Sequence, residues 1–386
     1  MKRILKIISL VCVVSLFLSF AMVTKAEETG NKINIQAKSA VLMEESTGRI
    51  LYELNSHEQL RPASVTKVMT MLLVIEAIDS GKISLNDIVT TSEYAASMGG
   101  SQVYLGAGEK MTVHDMLKAI AVASGNDASV AMAEHTCGSE EAFVKAMNDK
   151  AKELGMNDTN FVNCNGLDTE NHYTSAYDIA LMSKELLKHP KIHDYLTIWT
   201  DSLREGKFGL ANTNKLIRFY SGANGIKTGS TSKALYCLSA SAERDGMQLI
   251  ATIMAAPTSR DRFNDATKLL DHGFANYSVI QGVKKGETVG EMNVSKGMLP
   301  IVKVETANEF NLLVEKGKQD KVEKNVNLSE DLLAPVDKGQ KVGEIIFSSN
   351  GQELGKVDII TTESIEKVTI NKVFVSLVRQ WLNARQ

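Results

Sequence analysis

Cysteine is scarce in this chain, and neither sign of charge dominates. The 386 residues include 4 cysteines, of which Cys12 lies in an N-terminal segment that we expect to be removed. Cys137, Cys164 and Cys237 remain, too few for a disulfide framework. We predict core thiols with at most one bridge. The formal net charge of −3 lacks the basic excess of nucleic-acid-binding proteins, so we predict no nucleic-acid partner.

Signatures of several common enzyme classes are also missing. The chain has no Gly-x-Ser-x-Gly elbow and no His-Glu-x-x-His zinc motif. The segment 225–228 lacks the Gly-Lys step of a phosphate-binding loop. His189 and His193 are four residues apart, but Pro190 lies between them and no further ligand stands out, which favours a solvated helix end over zinc. We therefore predict no metal and no cofactor.

The N-terminus has the pattern of an export signal. Lys2, Arg3 and Lys6 form a basic start, an apolar run covers residues 7–22, and an imperfect cleavage site follows at 24–26. The apolar run is shorter than the roughly 20 residues that a spanning helix needs, which favours a signal peptide over an uncleaved anchor. We predict a signal peptide at residues 1–26 and an exported protein, either secreted or peripheral on the outer face of the cytoplasmic membrane.

The order of predicted elements indicates an α/β (α+β) domain followed by a small β domain. Helices and strands alternate in residues 35–276, and Asp245-Gly246 between two apolar runs predicts a hairpin. We therefore predict a central antiparallel sheet with helices in this domain. Residues 277–366 contain short alternating runs without a long helical pattern, which predicts an all-β domain.

The last segment, residues 367–386, has a helical pattern of its own. Its apolar residues recur at helical spacing on a single face: Ile370, Val373, Phe374, Leu377, Val378, Trp381 and Leu382. This pattern predicts an amphipathic helix lying on a membrane surface. A helix docked on the β domain and a dimer contact are the alternatives.

The segment 62–75 is the most informative part of the sequence. It reads as a helix that is apolar on almost every side, and Lys67 is its single charge. Burying a lysine is unfavourable, and burial favours the neutral amine. Ser64 lies one turn earlier on the same helix face. A neutral amine can accept the hydroxyl proton, so this pair predicts a nucleophilic serine with a lysine base.

Two further short elements accompany this pair. Ser124-Gly125-Asn126 interrupts a stretch of small, helix-forming residues, and Lys227-Thr228-Gly229 ends a strand ahead of the hairpin. Ser-x-x-Lys and Ser-x-Asn also occur elsewhere in the chain, whereas Lys-Thr-Gly occurs once. The structural setting therefore separates these candidates from chance matches.

With these three elements the chain resembles the penicillin-binding, serine-active DD-peptidases. Within that family it is most similar to the low-molecular-weight D-alanyl-D-alanine carboxypeptidases of the penicillin-binding protein 5 type. Further segments that match are Phe161-Val162-Asn163, Gly166-Leu167, His172, the run Thr174-Ser175-Ala176-Tyr177-Asp178, and Gly225-Ile226 before the third element. The resemblance covers nearly the whole mature chain and implies the β-lactamase/DD-peptidase fold, with a β-rich C-terminal domain and an amphipathic tail.

The resemblance implies a peptidoglycan stem peptide ending in D-Ala-D-Ala as the substrate, and β-lactam antibiotics as inhibitors. Ser64 is expected to attack the penultimate D-Ala carbonyl, with Lys67 as the general base. Ser124 is expected to relay a proton to the leaving amine, and Asn126 to orient the substrate amide.

The third element is expected to bind the other end of the substrate. Lys227 and Thr228 would hold the terminal carboxylate, and Gly229 would let the substrate backbone lie along the strand edge. The backbone N–H groups of Ser64 and Ser230 would form the oxyanion hole. Thr231 has no assigned role, with a turn contact and a substrate contact both open.

Three other functions compete with this interpretation. A class A β-lactamase would need a Glu followed by Leu-Asn between the second and third elements, and Glu-x-x-Leu-Asn is absent between Asn126 and Lys227. A DD-endopeptidase or transpeptidase acting on cross-links would use the same residues. A non-catalytic cell-wall binding protein would tolerate mutation of all three elements. The carboxypeptidase is the favoured function.

Overall fold

The computed structural model describes residues 33–318, 321–370 and 374. The predicted signal peptide lies outside the described residues, and so does the predicted tail helix beyond residue 370, apart from Phe374. Within the described ranges, no helix combines the length and apolar character needed to cross a membrane.

The part of the chain up to residue 276 combines helices with short and long strands. In chain order its elements are β1 (Ser39–Glu44), β2 (Ile50–Leu54), α1 (Lys67–Asp79), β3 (Ile88–Thr90), α2 (Glu93–Ala96), β4 (Lys110–Thr112), α3 (Val113–Ala121), α4 (Asn126–Cys137), α5 (Glu140–Glu153), α6 (Ala176–Leu187), α7 (His193–Leu196), β5 (Thr200–Leu203), β6 (Phe208–Ala211), α8 (Leu216–Phe219), β7 (Ala223–Thr231), β8 (Leu235–Arg244), β9 (Met247–Ala256) and α9 (Ser259–Asn276). Single 3-10 turns at Ala63–Thr66 and Pro190–Ile192 precede α1 and α7.

The predicted central antiparallel sheet is confirmed. Its strand order is β2-β1-β9-β8-β7, and every pairing in it is antiparallel. The predicted hairpin joins β8 to β9, where Asp245 and Gly246 have φ of 50° and 74°, the positive values that a tight two-residue hairpin requires. Strand β7 lies at one edge of the sheet, because β8 is its only partner among the described strands.

Helices cover both faces of this sheet. Gly273 of α9 faces Leu42 of β1 and Leu249 of β9 so closely that a Cβ there would lie 2.5 Å from Leu249 Cδ1. Thr252 of β9 points to the opposite face, since residues of opposite parity along a strand alternate. There its Oγ1 donates a 2.8 Å hydrogen bond to the carbonyl of Ala176, at the start of α6. The sheet is therefore the middle layer, with α9 on one face and α6 on the other.

Helix α1 lies in the core, as its apolar sequence predicts. Ten of its residues are buried, Lys67 included, and it contacts both α4 and α6. Cys164 and Cys237 are also buried and free, and Cys137 is half-buried and free. The prediction of unpaired thiols is therefore confirmed, and Cys137 lies nearer the surface than expected.

The remainder of the described chain is all β, as predicted. Its strands are β10 (Tyr277–Val283), β11 (Thr288–Ser295), β12 (Ile301–Thr306), β13 (Phe310–Glu315), β14 (Val322–Leu328), β15 (Leu332–Leu333), β16 (Lys341–Ser349) and β17 (Gln352–Thr361). A six-stranded sheet has the order β14-β16-β17-β12-β11-β15, and β10 pairs with β13. Val304, Ile345 and Ile359 are fully buried in its separate core.

Candidate active site

Ser64 and Lys67 meet where the 3-10 turn passes into α1. The Lys67 Nζ lies 3.1 Å from Ser64 Oγ, 2.6 Å from Asn126 Oδ1 and 2.6 Å from the carbonyl oxygen of Asn165. Lys67 is fully buried, and Ser64 is half-buried. The predicted pairing of hydroxyl and amine is therefore present, and two carbonyl oxygens fix the amine beside the hydroxyl.

Burial changes the protonation of this lysine. Desolvation lowers the pKa of Lys67 from 10.5 to about 7, against smaller opposing effects of Cys164 and Asp127. The neutral amine has two hydrogens and one lone pair. If Asn126 and Asn165 accept the two hydrogens, the lone pair is left for the Ser64 hydroxyl. The surroundings therefore suit a general base that works near neutral pH.

Ser124 and Asn126 lie at the break between α3 and α4. The helical pattern of residues 111–134 is interrupted there, and Ser124 has a positive φ of 63°. The Ser124 Oγ is buried and has no hydrogen-bond partner among the described residues, which is unusual for a buried hydroxyl. Asn126 donates through Nδ2 to the carbonyl of Gly99 at 2.7 Å, so both ends of its amide are bonded within the protein.

Strand β7 brings the third element to the same site. Lys227 is 1% exposed, and its Nζ donates to the carbonyl of Thr228 at 2.9 Å. Burial, followed by repulsion from Lys67 and Arg262, lowers the pKa of Lys227 well below its ordinary value. The Thr228 hydroxyl donates to Thr213 Oγ1 at 2.7 Å. Lys67 is therefore close enough to disfavour charge on Lys227.

Gly229 lies against the backbone segment that carries the nucleophile. A Cβ at this position would lie 2.8 Å from the Pro62 carbonyl oxygen and 2.9 Å from the backbone nitrogens of Ser64 and Val65. The glycine therefore allows β7 to pack against the segment that carries Ser64. The expectation that Gly229 also lets a substrate backbone lie along the strand edge stays a prediction.

Ser230 and Thr231 end strand β7. The side chain of Ser230 is exposed, in keeping with a role for its backbone alone. Thr231 Oγ1 accepts a 2.9 Å hydrogen bond from the Ala234 N–H and donates to Asp168 Oδ1 at 3.0 Å. The turn contact left open for Thr231 is therefore present, together with a bond to the loop at 163–170.

The loop around residues 163–172 is the part of the site whose role the sequence did not reveal. Besides the Asn165 carbonyl, it supplies Gly166, where a Cβ would lie 1.9 Å from the Ala63 carbonyl oxygen. His172 is bonded to Thr66 at 2.8 Å. Burial and the nearby Arg61 lower the pKa of His172 to about 4. Gly166 and His172 lie in segments that match the family, but backbone contacts and glycine packing sites have no pattern of their own in a sequence.

One group among the described residues has the geometry of a metal site, at Glu76, Glu185 and His189, whose ligand atoms lie within 4.8 Å of one another. Lys150 Nζ is 3.0 Å from a Glu76 carboxylate oxygen, and Lys188 Nζ is 2.6 Å from one of Glu185. These ammonium groups already neutralise both carboxylates. The group is an ion-pair cluster, and we assign no metal to it.

Comparisons with known proteins agree with this geometry. The family model for D-alanyl-D-alanine carboxypeptidase, peptidase S11, matches residues 23–258, and the model for the penicillin-binding protein 5 C-terminal domain matches residues 277–367. D-alanyl-D-alanine carboxypeptidase DacF of Bacillus subtilis is 46% identical over 95% of both chains. DacC of Escherichia coli is 34% identical over 91% of this chain and 90% of its own.

Solved structures are similar over both parts of the described chain. Penicillin-binding protein 5 from Haemophilus influenzae superposes with a TM-score of 0.79 at 32% identity, covering 86% of this chain and 98% of its own. Penicillin-binding protein D2 from Listeria monocytogenes, solved in a cefotaxime-bound form, superposes with a TM-score of 0.59 at 31% identity over 64% of this chain and 100% of its own. This chain therefore belongs to the S11 family of D-alanyl-D-alanine carboxypeptidases.

Proposed function

We propose that this chain is a serine DD-carboxypeptidase that removes the terminal D-Ala from peptidoglycan pentapeptide stems through an acyl-enzyme on Ser64. The observation that carries the proposal is the buried Lys67 amine, held 3.1 Å from the Ser64 hydroxyl by two carbonyl oxygens. Membership of the S11 family supports the substrate class, and the three elements of the site supply the chemistry.

Acylation begins with the neutral Lys67 amine. Its lone pair takes the Ser64 hydroxyl proton as Oγ attacks the carbonyl carbon of the penultimate D-Ala. The carbonyl oxygen becomes an oxyanion, which the backbone N–H groups of Ser64 and Ser230 stabilise. Because Gly229 lies against the Ser64 nitrogen, the two N–H donors can face the same small space.

Collapse of the tetrahedral adduct breaks the peptide bond, and the leaving amine needs a proton. Ser124 is suited to deliver it, because no group in the part of the chain that the structure describes bonds to its buried hydroxyl. The proton passes from the Lys67 ammonium through Ser124 Oγ to the amine of the departing D-Ala. Asn126 keeps the amine of Lys67 in place and can turn its amide toward the substrate when the peptide enters.

Lys227 and Thr228 bind the terminal carboxylate. Burial and the neighbouring Lys67 and Arg262 disfavour charge on Lys227 and lower its pKa. An arriving carboxylate favours the ammonium form, and a charge-assisted hydrogen bond then joins the two. The outer edge of β7 lies next to these residues, and an extended peptide can pair along an exposed sheet edge.

Deacylation is expected to be slow when the acyl group is a penicillin. The two carboxylates of the loop at 163–172 are Asp168, which bonds to Thr231, and Glu170, which is exposed. The described part of this loop thus offers no buried carboxylate to activate water, unlike a class A β-lactamase. Penicillins would therefore acylate Ser64 and persist, which is the behaviour of an inhibited penicillin-binding protein.

The domain plan and location extend this proposal. Residues 35–276 form the catalytic domain, 277–366 the β domain, and 1–26 the signal peptide. The segment 367–386 forms an amphipathic helix that holds the exported enzyme on the outer face of the cytoplasmic membrane. Ile370 and Phe374, which are 89% and 67% exposed, are two of its apolar residues and support this part of the proposal.

The test is release of D-alanine from a pentapeptide ending in D-Ala-D-Ala, beside the Ser64→Ala variant. Release by the wild type that vanishes in the variant supports the carboxypeptidase and its nucleophile. If the folded wild type is labelled by penicillin but releases no D-alanine, the result would favour an endopeptidase or transpeptidase activity instead. Absence of both release and labelling would refute the three-element site.

A further inference from the structure

A chain of hydrogen bonds ends on the peptide bond that precedes the nucleophile. The Val162 N–H donates to His172 Nδ1 at 3.0 Å, His172 Nε2 and Thr66 Oγ1 are 2.8 Å apart, and Thr66 Oγ1 donates to the Ala63 carbonyl at 2.8 Å. Both His172 and Thr66 are buried, at 3% and 0% exposure. Ser64 follows Ala63 directly, so the chain reaches the nucleophile without touching its hydroxyl.

The direction of every bond in this chain is fixed. Nδ1 of His172 accepts from a backbone N–H, so it must carry a lone pair, and the neutral ring then carries its proton on Nε2. That proton is donated to Thr66 Oγ1, which leaves the Thr66 hydroxyl hydrogen for the Ala63 carbonyl. A protonated His172 would present an N–H to the N–H of Val162, so the chain requires the neutral ring.

The Ala63 carbonyl and the Ser64 N–H belong to one planar trans peptide unit and point in opposite directions. Fixing the carbonyl therefore fixes the direction of the N–H. Ala63 has a φ of 49°, an uncommon conformation for a residue with a side chain, and one that persists only where its surroundings impose it.

Two glycines enclose the same peptide unit. A Cβ at Gly166 and a Cβ at Gly229 would each lie 2.9 Å from the Ser64 nitrogen. Neither contact holds the carbonyl oxygen by a hydrogen bond, whereas Thr66 does. The glycines therefore limit where the peptide unit can lie, and the hydroxyl of Thr66 sets the rotation of its plane.

We propose that Thr66 and His172 are positioning residues that aim the Ser64 N–H into the oxyanion hole, while touching neither substrate nor the reacting hydroxyl. This inference rests on the proposed function, because it concerns a donor that acts on the tetrahedral adduct. Such a donor acts mainly in the transition state, so its misalignment lowers kcat and leaves KM nearly unchanged.

The test compares Thr66→Val with Thr66→Ser. Valine keeps the shape and removes the hydroxyl, whereas serine keeps the hydroxyl and removes the methyl group. Full loss of one oxyanion donor lowers kcat by about 100- to 1000-fold. A misdirected donor should lose less, so we expect about a tenfold fall in kcat for Thr66→Val, with KM within about twofold. Thr66→Ser should stay within about threefold of the wild type.

A peptide boronic acid ending in the boron analogue of D-alanine gives a second readout, since it forms a tetrahedral adduct on the serine. Its inhibition constant should rise in Thr66→Val in proportion to the loss in kcat/KM, because both measure transition-state binding. A purely structural defect that lowers the amount of folded enzyme would leave the inhibition constant unchanged.

His172→Phe interrupts the chain at its other end and serves if Thr66→Val does not fold. Equal losses in Thr66→Val and Thr66→Ser, or wild-type kcat in a folded His172→Phe, would overturn the positioning role. If the wild type itself releases no D-alanine, the proposed substrate fails, and the rate of Ser64 acylation by labelled penicillin becomes the readout for the same variants. A fall in that rate for Thr66→Val alone would still support the positioning role.

Discussion

The pH dependence of acylation should respond directly to the charge at residue 126. Asn126 Oδ1 lies 2.6 Å from the Lys67 amine, so Asn126→Asp replaces a neutral oxygen with a charged one at nearly the same place. In the wild type the base is neutral above a pKa of about 7. Acylation should therefore fall about tenfold per pH unit below that value, or about 100-fold at pH 5.

The carboxylate of Asn126→Asp stabilises the ammonium form of Lys67. An opposite charge within hydrogen-bonding distance typically moves a pKa by about 1 to 3 pH units. The midpoint of the acid limb should move upward by that amount. At pH 7, where the wild-type base is half neutral, the rate should fall by about 5- to 500-fold. Part of this loss should be recovered by raising the pH, since the base then becomes neutral again.

The assay is the second-order rate of Ser64 acylation by a labelled penicillin between pH 5 and pH 10, which reports ionisations of the free enzyme. Asn126→Ser is the control, because it removes the amide without adding charge. The plateau rate of Asn126→Ser should be lower because the amide is lost, but the midpoint of its acid limb should not rise. If the pH midpoint of the acylation rate is the same in Asn126→Asp as in the wild type, the fall in rate at low pH does not arise from protonation of Lys67.

Three further predictions concern other residues of the site and its surroundings. Gly229→Ala should lower kcat for D-alanine release by about 100-fold or more, because its Cβ displaces the Ser64 N–H. Gly290→Ala is the control and should keep wild-type kcat, because a Cβ there meets nothing within 4 Å. Equal kcat values for the two variants would contradict the close approach at Gly229. Peptide binding should take up a proton at Lys227, because the substrate carboxylate raises the lowered pKa of this lysine. Calorimetry in buffers of different ionisation enthalpy would detect the uptake, and a buffer-independent heat of binding would refute it. Burial holds His172 neutral and lowers its pKa from 6.5 to about 4. Its contribution to the free energy of unfolding is therefore present above pH 6.5 and falls by about 3 kcal/mol as the pH drops to 4. Denaturant titrations of the wild type and His172→Phe should show this difference, and parallel plots of unfolding free energy against pH would exclude it.

The architecture was largely predictable because each element has a local cause. The apolar segment that begins at Pro62 favours a buried helix, which the structure starts at Lys67 after a 3-10 turn. Asp245-Gly246 between two apolar runs favours a tight hairpin, because both residues adopt positive φ values. The short alternating runs after residue 277 likewise predicted β strands. Periodicity and turn chemistry act over a few residues, so the sequence alone reveals them.

The reactive side chains of the site could be predicted from the sequence. Ser64, Lys67, Ser124, Asn126 and Lys227 are all identified by residue type and spacing. Their partners were less accessible to sequence reasoning, because several of them are backbone groups. The carbonyl of any residue could have accepted from the Lys67 amine, and only the folded chain assigns Asn165.

Gly229 is a second residue whose surroundings could not be predicted from the sequence. The sequence identified the glycine, but the reason for it came from Pro62 and Ser64, which lie more than a hundred residues away in the chain. A glycine in a strand indicates a close approach, yet the approaching group cannot be read from the strand itself.

The sequence by itself determined which groups could react: a serine one turn from a lysine that had to be buried, and a second lysine on a strand. The tertiary structure alone decided which groups surround Lys67 and in which direction the Ser64 N–H points. Both depend on distant parts of the chain, namely the segments that bury Lys67 and lower its pKa, and the bonds through His172. The physical reason is that desolvation and hydrogen-bond direction are set by three-dimensional surroundings, whereas residue identity is set by the chain.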